Sequence, residues 1–67
     1  MVGMSAADVF EAARLYIERH GIEAEQAAAQ RAQSLLNDGD TVGSAVWLRI
    51  AGAIREIEGK DGETPLQ

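Results

Sequence analysis

Apolar residues recur every three or four positions along most of this chain, which is the spacing of helices with one buried face. The first such segment runs from about Ala6 to His20, with Ala6, Val9, Phe10, Ala13, Tyr16, Ile17 and His20 as its inward stripe. Asp8, Glu11, Glu18 and Arg19 fall on the far side, and Leu15 projects among them. Ser5 stands at the N-cap position with Asp8 three residues on, a capping-box arrangement, and Met4 and Val9 are placed to staple across it. At the other end Gly21 suits a left-handed C′ position. That would bring Ile22 against Ile17, as the Schellman motif requires.

The second segment, Glu23 to Asn37, is alanine-rich and favoured by propensity alone. Its stripe is Ala24, Ala28, Ala32, Leu35 and Leu36, flanked by Arg31, and small residues there imply a close neighbour. Glu23 and Glu25 complement the helix dipole in its first turn. No Ser, Thr, Asp or Asn caps its start, which leaves open whether it is separate or continues the first helix around a kink. Asn37-Asp38-Gly39 ends it, with Gly39 at C′.

Asp40 or Thr41 then caps a third helix, Val42 to Glu58, whose stripe of Gly43, Val46, Trp47, Ile50, Ala53, Ile54 and Ile57 is the most hydrophobic in the chain. Gly59 is expected to close it, and the polar residues 59–67, with Gly62 and Pro65, to be a disordered tail after a 6–58 domain. Residues 1–5 read as an N-terminal extension, Met4 being an alternative start. Helices of about fifteen residues, each ~22 Å long, joined by short glycine turns predict an all-α fold. Its form is a small three-helix bundle or an open three-helix array with antiparallel neighbours.

Size sharpens this picture. A 67-residue chain buries only about 60% of its unfolded surface. Such domains lean on disulfides, metals, regular helix packing or oligomerisation. With no cysteine and one histidine, regular packing and oligomerisation remain. Eleven acids against six bases give a charge of -5, and the arginines at 14, 19, 31, 49 and 55 are dispersed among acids. That balance disfavours direct nucleic-acid binding, which depends on clustered bases. The N-terminus lacks the charged and apolar regions of a signal peptide, and no run approaches the ~18 apolar residues of a membrane span. A cytoplasmic location follows as the expectation.

No catalytic, cofactor-binding or metal-ligating set emerges. His20 is the one side chain with a neutral-range titration, but no nucleophile or orienting acid stands beside it in sequence, and helix capping explains its place. Gly39-Asp40-Thr41-Val42-Gly43 lacks the lysine and strand context of a phosphate loop and reads as a helix–helix turn in which Gly43 admits a close neighbour. Glu23 with Glu25, and Asp38 with Asp40, do not have the ligand spacing of a calcium loop. Trp47 belongs with the core, its N–H at the rim. Arg31 and Arg49 border buried stripes, where they would extend along the core and pair with acids.

What departs from clean amphipathicity is a set of outward apolar positions: Leu15 on the first helix, and Leu48 with Ala45 and Gly52 on the back of the third. These four form the candidate interface. They point to a non-enzymatic interaction module, either a homodimer or an adaptor docking on a larger protein, with no small-molecule substrate or membrane partner. The alternative is an acidic inhibitor that mimics nucleic acid in a basic groove, resting on the charge alone. The run Ala13 to Gly21 (ARLYIERHG), Arg31-Ala32, Gly39-Asp40, Gly43, Trp47, Ile50 and Ala53-Ile54 resembles a group of short uncharacterised alphaproteobacterial helical proteins, over roughly residues 8 to 57. The resemblance implies a bacterial, self-contained domain and carries no activity, cofactor or site residue.

Overall fold

Every regular element in the computed structural model is helical. It describes residues 5–62, with side-chain placement to Gly59. Helix α1 spans Ala6–His20, a 3-10 turn follows at Gly21–Glu23, α2 spans Ala24–Asn37 and α3 spans Thr41–Gly62. The expected staple from Met4, residues 1–4 of the expected 1–5 extension and residues 63–67 of the expected 59–67 tail lie outside the described residues, while residues 59–62 belong to α3.

Local chemistry sets most of these boundaries. At the start of α1 the Asp8 backbone N–H donates to Ser5 Oγ at 3.2 Å, and the Ser5 N–H donates back to Asp8 Oδ2 at 3.3 Å. That is the reciprocal capping box, which satisfies two backbone donors a helix start leaves free. At the end of α2, Gly39 has φ +88°, its N–H donates to the Leu36 carbonyl at 3.0 Å, and the Asp40 N–H donates to the Leu35 carbonyl at 2.8 Å. This pair of bonds is the Schellman motif. Asp40 then caps α3, its Oδ1 accepting from the Gly43 N–H at 2.8 Å while its carbonyl accepts from the Ser44 N–H. One motif therefore ends α2 as another begins α3, and three residues suffice to fold the two helices into a hairpin.

Four boundaries differ from the sequence expectation, the smallest difference being that α3 begins at Thr41 rather than Val42. Gly21 has positive φ (+62°), as foreseen, but its ψ of -134° is not the left-handed helical value. Its N–H donates to the Ile17 carbonyl, and the chain turns a corner into the 3-10 turn. Ile22 is left 91% exposed, so the contact with Ile17 expected of a Schellman ending is not made. Residues Ala6–Asn37 therefore form one bent helical path of 32 residues, with the bend at Gly21 and the start of α2 at Ala24 rather than Glu23. At the other end α3 runs on through Gly59 to Gly62. Gly59 does not take the positive φ that would close the helix there.

The core is built mainly from methyl groups. Ala24, Ala28 and Ala32 of α2 are buried, as are Ile50, Ala51, Ala53 and Ile54 of α3 and Val9 and Ala13 of α1. Ala12, Tyr16, Ile17, Val46, Trp47 and Ile57 pack partly buried around them. Among the described residues Ile54 is the most completely buried large side chain, with Ile50 next. The α2–α3 contact is the most extensive, α1–α3 is smaller, and α1 and α2 meet little. The stripes of α2 and α3 match the apolar periodicity, except that Leu36 is exposed and Ser44 and Ala51 are buried. On α1 the rotation differs: Ala6, Phe10 and His20, expected inside, are exposed, while Ala12 takes a place at the core. Alanines leave the neighbouring backbone close, and the large Phe10 at the stripe's edge is turned out.

Candidate interaction surface

Outward apolar residues are the feature this fold leaves unexplained. Ala45, Leu48 and Gly52 of α3 are all exposed, Leu48 by 57%. Their spacing of three and four residues stacks them on one face, turned away from the Ile50 and Ile54 side that enters the core. A Cβ added at Gly52 would meet nothing within 4 Å, so the strip is flat and open at that point. Gly59, seven residues on, is equally open and continues the face. The flanking Arg49, Arg55 and Glu56 are also exposed, giving the apolar strip a charged rim.

Leu15 is 55% exposed. It lies two residues beyond buried Ala13, about 200° further round α1 at 100° per residue. Since α1 and α3 bury their inner faces against each other, Leu15 and the α3 strip look to different sides of the protein. The four candidate positions are therefore all exposed, but only Ala45, Leu48 and Gly52 form one surface.

Further exposed apolar side chains escaped the sequence reading. The apolar periodicity puts Phe10 and Leu36 inside and a Schellman ending puts Ile22 against Ile17, yet all three are exposed. Val42, one residue into α3 and the first position of the helix expected there, is 74% exposed. Leu36 and Val42 flank the α2–α3 turn from either side. For Phe10 the available signal was its position one residue off the Val9–Ala13–Tyr16 line, at the margin of the stripe.

The polar candidates have structural places. His20 meets Tyr16 with ring centroids 4.4 Å apart and the rings tilted by 48°, and Tyr16 in turn meets Trp47 at 5.1 Å with the rings tilted by 59°. The Arg31 guanidinium carbon lies 5.5 Å from the centre of the Trp47 ring. A cation over an aromatic face is attracted by the ring quadrupole, so Arg31 is held by Trp47, where the sequence suggested an acid. These four side chains tie α1, α2 and α3 together at one level of the fold. Gly43 also has a different neighbour from the one expected: a Cβ there would come within 2.6 Å of Asp40 Oδ2, so the absent side chain makes room for the capping carboxylate. Among the described residues no cavity opens, and no three His, Asp or Glu side chains gather closely enough to hold a metal ion. No described helix is long and apolar enough to cross a membrane.

Comparison with known proteins adds no relative: no protein-family model, no curated protein and no solved structure matches this chain.

Proposed function

We propose that this chain is a small, non-enzymatic interaction module that associates with a second copy of itself through the outer face of α3. In this reading the three helical segments act together as a compact three-helix unit, in the bacterial cytoplasm, and its kinship is with the short alphaproteobacterial proteins it resembles. The observation that carries the proposal is an imbalance. Among the described residues six large apolar side chains, Phe10, Leu15, Ile22, Leu36, Val42 and Leu48, are exposed, whereas of the larger apolar side chains only Val9, Ile50 and Ile54 are buried. Scattered exposed leucines are ordinary on a protein surface. Here, however, the exposed set outweighs the enclosed one in a domain whose core is mostly alanine, and association is the remaining route to cover it.

On α3 the chemistry suits a second helix. Leu48 supplies an apolar knob, while Ala45 and Gly52 on either side allow a partner helix to approach closely. The charged rim of Arg49, Arg55 and Glu56 carries both signs, so two copies can meet antiparallel without like charges facing throughout. The experiment is to compare Leu48→Glu with Leu15→Glu by size-exclusion chromatography with light scattering. The first should yield monomers and the second should leave the dimer intact. Equal behaviour of the two variants would remove the α3 strip from the account.

A further inference from the structure

We propose that the bend at Gly21 is a hinge that allows two copies of this chain to exchange α1. In the exchanged dimer Ala6–Asn37 is one straight helix, and α1 of each copy packs on α3 of the other. The proposal shares with the preceding reading only the second copy as partner; it does not depend on Leu48.

Little separates the bent path from a straight one. Residues on both sides of Gly21 are already helical, and Ala24, just beyond the turn, has φ -60° and ψ -44°. The large departure is at Gly21 itself, with φ +62° and ψ -134°, a combination that belongs to glycine. Straightening the path means returning Gly21 to helical angles, with smaller adjustments at His20 (φ -111°, ψ -10°) and Glu23 (φ -94°, ψ 6°), and the alanine-rich sequence that follows favours helix strongly. A straight helix of 32 residues would be about 48 Å long.

The attachment of α1 to its own chain is of a kind that a second copy can replace. Its buried side chains are Val9 and Ala13, with Ala12, Tyr16 and Ile17 partly covered. Among the described residues no side-chain hydrogen bond joins α1 to α2 or α3; those present are local, within the caps and along α2. The lesser contact, between α1 and α2, is what opening sacrifices, while the α1–α3 packing, including Tyr16 on Trp47, is restored from the partner. Exchange of an identical element in this way is a low-cost route to a dimer.

Exchange would also cover Ile22. It sits at the corner and is 91% exposed. In an exchanged dimer the two long helices cross where their hinges meet, near the two-fold axis. Ile22 of each copy is then covered by the other.

The test uses the full chain carrying Gly21→Ala. A Cβ at this position meets nothing within 4 Å, so the substitution acts through the backbone alone. An alanine penalised at the corner and favoured in a helix should shift each hinge toward the straight form by about tenfold. With two hinges per dimer, the dissociation constant should fall by about a hundredfold. Geometry is read by spin labels on Glu11→Cys and Gln30→Cys, in a chain that has no cysteine of its own, diluted into unlabelled protein. Nineteen residues of continuous helix separate those sites by about 29 Å, and any bend brings them closer. A tighter dimer with the longer distance is the expected result. A Gly21→Ala chain that stays monomeric, one that dimerises at the shorter distance, or one that loses its helical circular dichroism would each overturn exchange. The dimer at the shorter distance would leave association through α3 standing, whereas a wild-type dimer insensitive to Leu48→Glu would remove that surface without touching the hinge.

Discussion

Ile54→Ala is the perturbation to which this fold should be most sensitive. Ile54 is 0% exposed, on the α3 face that meets α1 and α2, and no other large side chain is as fully enclosed. Truncating a buried Ile to Ala costs about 2–5 kcal/mol, the loss of transfer free energy plus the cavity that remains. The surrounding alanines cannot swing inward to fill that cavity, since a methyl group has no rotamers, which places the cost in the upper part of the range. At about 0.05–0.15 kcal/mol per residue, a chain of this length has about 3–10 kcal/mol of stability in total. The variant should thus lose a large share of its stability and be partly unfolded at room temperature. Urea unfolding followed by far-ultraviolet circular dichroism measures this directly, with Leu15→Ala as the exposed control, expected to change stability by less than about 0.5 kcal/mol. A shift below about 1 kcal/mol for Ile54→Ala, with an unchanged slope against urea, would refute the description of the core as a thin layer centred on this residue.

Two further substitutions test the local chemistry. Asp40→Ala removes the carboxylate that accepts the Gly43 N–H at 2.8 Å and should cost about 1 kcal/mol, with Asp40→Asn recovering most of it; an unchanged urea midpoint would mean that α3 needs no side-chain cap. A double-mutant cycle of Arg31→Met and Trp47→Leu should give a coupling of about 0.5–1 kcal/mol from the cation over the indole ring, and strict additivity would show that the 5.5 Å approach contributes nothing.

Short-range signals were the most legible part of the fold. Ser5 with Asp8, Asp38-Gly39 and Asp40 each specify a helix end through bonds spanning three to five residues, and each forms in the structure. The stripes of α2 and α3 were legible because their apolar positions face each other across a hairpin whose turn fixes the register. The rotation of α1 was not. Its stripe offers Phe10 and Ala12 on opposite margins, and which margin faces inward depends on the angle at which α1 leaves Gly21. That angle is a ψ value, and glycine permits several. The same freedom hid the exposure of Ile22, which a left-handed Gly21 would have folded back on Ile17. On the candidate surface, Ala45, Leu48 and Gly52 could be read as outward because they lie opposite Ile50 and Ile54. Separating them from Leu15 required knowing which face of α1 turns toward α3.

Self-association is the claim on which the functional reading depends, and sedimentation equilibrium of the unmodified chain over a range of concentrations tests it most directly. The account predicts a mass rising with concentration to twice the 7.2 kDa of the single chain, with Leu48→Glu weakening that rise. A mass that stays at the single-chain value at every concentration would contradict it.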